Sequence, residues 1–283
     1  MSLLDHVRAC NRYRAERFLP LVIDGVRVGL VQRGNLELMR RFPKVLAVHD
    51  QAVEIVAPRG FDALTQAVDE VIEVLVDEGL VHKWRHEFFA VTPRWRAAPI
   101  FKLDRGAVGI FGIRSYGVHL NGFRRDADGL KLWVGKRAPD KKVAPGKLDN
   151  MVAGGIGFGH GVFETLAKEA GEEAAISPEL IARAAPVGAL SYCMEMGNGV
   201  RDDVLFVYDL AVPADFVPRN TDGEIAEFSL MAAGEVIDRV RAGDDFKFNV
   251  NLVLIDFAIR HGIIGPDDPE YLDLVTGLRR PLL

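Results

Sequence analysis

A run of glycines that opens directly into an amphipathic helix constrains this chain more than any other feature. From residue 153 to residue 176 the sequence reads A-G-G-I-G-F-G-H-G-V-F-E-T-L-A-K-E-A-G-E-E-A-A-I. Val162, Phe163, Leu166, Ala167 and Ala170 recur at helical spacing and predict a core-facing stripe. Glu169, Glu172 and Glu173 stand at i, i+3 and i+4, which places them on one helix face with Cβ atoms about 5–6 Å apart. Carboxylates at such spacings are common on solvated helix faces. Here they gain weight from their register to Gly154 and Gly155, where a bent backbone can approach them, add the Gly154 carbonyl as a ligand and leave room for phosphate oxygens. Hard oxygen donors without cysteine or histidine suit magnesium or manganese rather than zinc. The same glycines never fall into G-x-G-x-x-G register, so a dinucleotide loop is excluded.

In its spacing the segment resembles the Nudix box, G-x5-E-x7-R-E-U-x-E-E-x-G-U, where U is a bulky apolar residue. With Gly154 as the first glycine, Glu169, Glu172 and Glu173 match the three metal-binding glutamates and Ile176 the last apolar position. His160 replaces the first glutamate, Lys168 the arginine, Ala170 the bulky residue and Ala175 the final glycine. The first two replacements remove both members of a supporting pair and strand neither. Ala175 would be strained in the left-handed conformation that ends the family's helix. Residues 101–105, 111–119, 145–155, 203–210 and 218–224 look like the Nudix proteins related to thiamine pyrophosphokinase, which carry an extra N-terminal domain. The resemblance implies a Nudix fold of α/β (α+β) class, a mixed β-sheet between helices, over 101–283, with a smaller α+β accessory domain over 1–100. It also implies a metal-dependent pyrophosphatase acting on diphosphates of thiamine-like molecules such as oxothiamine and oxythiamine diphosphate. The alternatives are hydrolysis of oxidised nucleotides or nucleotide sugars, or a non-catalytic module that senses such a ligand.

Mg2+ or Mn2+ is then expected on Glu169, Glu172, Glu173 and Gly154, with Glu173 or Glu224 taking the proton from the attacking water. Glu224 and Glu227 follow the turn-forming Asp222-Gly223, a region where the family often presents another acidic residue. Arg137, Lys136 and Lys147 are the phosphate clamps expected from their closeness to the box in sequence. Trp84 and Trp95 flank basic residues and offer stacking surfaces through which the accessory domain would shape the pocket; its other reading is a dimerisation module.

Elsewhere, periodicity predicts helices over 3–13, 61–78 and 251–261, with Gly79 and Gly262 ending the last two, and a helix finishing over 236–241. Two strands joined at Asp24-Gly25 are expected over 21–31, and further strands over 86–91, 109–123, 130–136 and 204–210. Asp126, Asp128 and Gly129 read as a hairpin turn, since the other ligands of a calcium loop are missing. The proline-bearing stretch 92–99 is the expected seam between domains. His82 and His86, with Glu87, lack the order and third ligand of a zinc site.

A net charge of −5 speaks against a nucleic-acid partner, which requires a basic face. No apolar run is long enough for a signal peptide or a membrane span, and Cys10 and Cys193 read as free thiols, so a cytoplasmic location with a small-molecule diphosphate as partner is expected.

Overall fold

The computed structural model describes residues 1–81 and 84–282. His82, weighed above with His86, and Lys83, the basic neighbour of Trp84, lie outside the described residues. Strands run β1 Phe18–Ile23, β2 Val26–Gln32, β3 Leu46–Val48, β4 Val53–Ile55, β5 Phe88–Val91, β6 Phe101–Asp104, β7 Arg114–Asp126, β8 Gly129–Arg137, β9 Leu148–Asp149, β10 Val152–Gly155, β11 Ala185–Met196, β12 Gly199–Ala211 and β13 Ile225–Ala232. Helices are α1 Leu3–Cys10, α2 Leu36–Met39, α3 Phe61–Asp77, α4 Val108–Phe111, α5 Val162–Ala174, α6 Pro178–Ile181, α7 Ala233–Ala242, α8 Val250–Arg260 and α9 Tyr271–Gly277. None is long and apolar enough to cross a membrane.

The larger sheet orders its strands β11-β12-β7-β8-β13, with β10 on β7 and β9 on β8. β12 and β7 run parallel while the other pairs are antiparallel, so the sheet is mixed. Successive side chains on a strand face opposite ways, and each face of this sheet has its own core. Val118, Leu120, Trp133 and Leu210 bury against Leu166, Ala170 and Ala174 of α5. Leu132, Val134, Leu205 and Val207 bury on the other side against Leu3, Val236, Phe257 and Leu274 from α1, α7, α8 and α9. The sheet therefore lies between helices.

A second, four-stranded sheet has the order β2-β1-β4-β3. Helix α3 covers it with Leu64, Val68, Val71, Ile72 and Leu75, the stripe its periodicity predicts, and Gly79 follows at φ 71°. Asp24 and Gly25 both take positive φ in the β1–β2 turn, as a tight hairpin requires.

Three expectations are corrected by packing. β5 pairs with β6 across the proline-bearing stretch, and Phe101, Leu103, Ile110, Phe111 and Ile113 bury in the same core as Leu21 and Ile72. The first core thus runs on to Ile113 rather than stopping near 100. Helix α1 leaves that unit altogether and completes the core of the larger sheet. Residues 109–111 form a helical turn instead of the start of a strand. Gly112, at φ 57°, closes that turn where β2 crosses it, and a methyl group there would collide with the backbone of Leu30.

Candidate active site

Helix α5 starts at Gly161, whose backbone N–H donates to the Glu164 carboxylate at 3.1 Å. His160 Nδ1 lies 3.0 Å from the same carboxylate, so the residue that replaces the box's first glutamate supports the helix start. Upstream, Gly154 and Gly155 belong to strand β10 and pair opposite Val118 and Gly117, where the sequence reading expects a loop. The bend comes after them, once Ile156 N–H has bonded to the Tyr116 carbonyl. A side chain at Gly154 would collide with Glu169 and stand 2.6 Å from its carboxyl carbon, so glycine here leaves the Glu169 side chain its present place against β10. Downstream, Ala175 takes φ 52° and ψ 36°, and Ile176 N–H returns to the Ala170 carbonyl at 3.0 Å. The helix ends as the family's does, with the strain of a left-handed alanine retained.

The three glutamates sit in different surroundings. Glu173 is buried, and its Oε2 accepts the Ala153 N–H at 2.8 Å. Burial pushes its carboxyl well above the usual range; Ala153 opposes that, and Asp149, Glu169 and Glu224 add to it. Burial also raises Glu169, which Lys168 partly offsets. Glu172 is half-exposed and takes Lys168 Nζ on Oε2 at 2.8 Å. Its backbone carbonyl accepts both the N–H and the hydroxyl of Thr221, at 2.9 and 2.7 Å. That tie fastens the turn before β13 to α5 and brings Glu224 into the field of Glu169 and Glu173. Glu227 is exposed on β13.

The expected clamps lie elsewhere. Arg137 is buried, with Nη1 on Asp149 at 2.7 Å and Nε on the Val143 carbonyl. Lys147 is held by Asp244 at 2.7 Å. Lys136 is exposed and continues the Leu132–Val134 side of β8, away from α5. The cation that does meet the acidic cluster from this region is Lys141, whose Nζ lies 2.7 Å from Glu224 Oε2. Sequence proximity pointed at the strand residues; the residue at the site comes from the turn that follows them.

Beneath Glu173 lies a polar layer that no motif marks. Burial would raise Asp149, but Lys247, His119 and Arg137 hold it below the usual range. His119 is fully buried, pushed down to about 4 by that burial, and bonds through Nδ1 to Asn150 at 2.8 Å. The signal available in the sequence was His119 and Asn121 at inward positions of a strand otherwise rich in apolar residues.

The N-terminal unit contributes an aromatic wall. Phe158 N–H bonds to the Phe88 carbonyl at 2.6 Å, and a Cβ on Gly155 would stand 3.0 Å from the Phe89 ring. Trp95 rests on Tyr116 and Phe206, with ring centroids 4.5 and 4.7 Å apart, and keeps part of its surface exposed. Tyr116 is two residues along β7 from Val118, the partner of Gly154, so the two lie on the same sheet face roughly 7 Å apart along the strand. Trp84 instead packs, partly buried, against the N-terminal core.

Glu169, Glu172, Glu173 and Glu224 are an all-oxygen donor set, which fits a hard divalent cation. Among the described residues, no three such side chains already converge on one point. Lys168 draws Glu172 aside and Lys141 draws Glu224, while buried Glu173 carries an N–H donor and no ion pair among the described residues. The set fits a metal that displaces lysines.

A family model described as a domain of unknown function (DUF4743) matches residues 2–115. The chain is 40% identical over 284 residues to Nudix hydrolase 24, chloroplastic, of Arabidopsis thaliana, covering 98% of this chain and 78% of that protein. It is 38% identical over 291 residues to Nudix hydrolase 20, chloroplastic, of the same plant, with the same 98% and 78% coverage. Among solved structures, DR0079 from Deinococcus radiodurans superposes with a TM-score of 0.43 at 22% identity, over 57% of this chain and 93% of that one. On the identity and reach of the two plant relatives, the chain belongs to the Nudix hydrolases, enzymes that cleave phosphoric anhydride bonds.

Proposed function

We propose that this enzyme is a magnesium- or manganese-dependent pyrophosphatase that hydrolyses the diphosphate of an organic ester to the organic monophosphate and inorganic phosphate. The observation that carries the reading is the buried Glu173 carboxylate, fixed by Ala153 N–H beside a Glu169 that lies on Gly154. A buried carboxylate without a cation is costly to ionise, and a divalent ion is the partner that makes the site favourable.

Glu169, Glu172 and Glu173 are the side chains that would hold the metal; the Gly154 carbonyl, expected beside them, is turned toward β7 in the β10–β7 ladder. Bound there, a divalent ion neutralises charge on the phosphoryl oxygens and lowers the pKa of the attacking water. The proton of that water passes to a carboxylate, Glu173 or Glu224; Glu224 is the more open to solvent. Trp95, on Tyr116 and Phe206, stands where the organic part of the ester would lie.

Among organic diphosphates, thiamine-like compounds and their oxidised forms are the class proposed, supported by the five stretches that resemble the thiamine-associated Nudix proteins. The test is hydrolysis of a panel of thiamine-analogue diphosphates, oxidised nucleotides and nucleotide sugars, with the release of monophosphate products followed by chromatography, with and without magnesium, and ranked by kcat/KM. The highest kcat/KM on a thiamine analogue supports this substrate class. A higher value on a nucleotide moves the enzyme to the alternative class, and no metal-dependent release from any of them makes the protein a ligand sensor.

A further inference from the structure

Lys141 lies on the turn between β8 and β9, and that turn is pinned at its base. Ala138 N–H donates to the Glu224 carbonyl at 2.9 Å, and Lys141 N–H returns to the Ala138 carbonyl at 3.3 Å. The same two segments are bonded again through their side chains, Lys141 Nζ to Glu224 Oε2 at 2.7 Å. The ammonium is therefore delivered to the rim of the carboxylate cluster by the fold.

In that position Lys141 occupies one of the four carboxylates available to a divalent ion, and the four do not converge while it does so. A doubly charged ion outcompetes a single ammonium for carboxylate oxygens. The displaced ammonium keeps a long flexible stem and a compact charge, properties suited to a phosphate oxygen. Arg137, Lys147 and Lys136 are bonded elsewhere or face away, whereas Lys141 is a cation that this region does bring to the site.

We infer that Lys141 changes partners during the reaction cycle, serving as counter-ion to Glu224 in the metal-free enzyme and as a ligand of the substrate's diphosphate once metal is bound. This rests on the reading that the metal binds the box glutamates, and it adds Glu224 to the carboxylates that the metal engages. The exchange predicts two opposite effects of one substitution: loss of Lys141 helps the metal and harms the substrate.

The experiment uses the full chain as wild type, Lys141→Met and Lys141→Arg. Mn2+ affinity is measured by titration calorimetry without substrate, and KM and kcat at saturating magnesium with the best diphosphate of the panel. In Lys141→Met the Mn2+ Kd should fall severalfold while KM rises about tenfold, the loss of one charge-assisted contact. Lys141→Arg should restore both values toward wild type, which separates the charge from the fold. If either shift is missing from Lys141→Met, or if Mn2+ and substrate both bind more weakly, the exchange is wrong. A wild type that binds no Mn2+ removes the metal reading itself, and this inference with it.

Discussion

The backbone of Gly154 and the side chain of Glu169 are in direct contact, leaving no room for a Cβ between strand β10 and the metal helix. Gly154→Ala therefore forces α5 away from β10 or Glu169 out of its place. Overpacking of this kind costs about 1–3 kcal/mol of stability. Metal affinity and kcat should fall together, read by Mn2+ titration and phosphate release; a variant with unchanged metal affinity would show that this contact does not position Glu169.

Glu172→Gln and Glu173→Gln should each lower kcat by at least about a hundredfold, since each removes a negative ligand from the metal. Their stabilities should differ from that pattern. Burial disfavours the charged form of Glu173, so Glu173→Gln in metal-free buffer should melt at the wild-type temperature or higher. Wild-type turnover in both variants would remove the site assignment.

Ala175→Gly should raise stability by about 0.5–1 kcal/mol, because glycine relieves the left-handed strain at a smaller entropic cost. Ala175 has φ 52° and no role in holding metal or substrate, so kcat and KM should not move. Denaturant unfolding and steady-state kinetics on the same preparation decide the point.

Trp95→Ala should raise KM for a diphosphate whose organic part is a flat ring, by roughly the tenfold that one lost aromatic contact allows. A simple alkyl diphosphate is the control, and its KM should stay put. Equal losses on both compounds would mean that Trp95 supports the fold through Tyr116 and Phe206 and does not read the ligand.

A fragment beginning at residue 101 should fail to fold. It exposes Phe101, Leu103, Ile110, Phe111 and Ile113, which bury against the N-terminal sheet, and it deletes α1 from the core of the larger sheet. Circular dichroism and size exclusion of that fragment test this; a soluble, cooperatively melting product would restore the boundary near residue 100.

The sequence by itself determined the parts of this protein that depend on neighbours in the chain. A helix of 3.6 residues per turn puts Glu169, Glu172 and Glu173 on one face wherever it is placed, and the apolar stripe of α3 follows from the same period; on α5 Leu166 and Ala170 bury as expected, whereas Phe163 stays exposed. The Asp24-Gly25 hairpin was equally legible, because its backbone geometry is a property of those two residues. What only the tertiary structure decided is which charges meet. Arg137 and Lys141 are four residues apart and carry the same charge, yet one is buried on Asp149 and the other reaches Glu224. Glu224 itself arrives through Thr221 on the Glu172 carbonyl, a bond between residues 49 positions apart. The domain boundary was hidden for the same reason, since β6 and α1 are assigned to a core by what they bury against. Local periodicity is encoded within a few residues, whereas electrostatic partners and core membership are fixed only when distant segments compete for the same space.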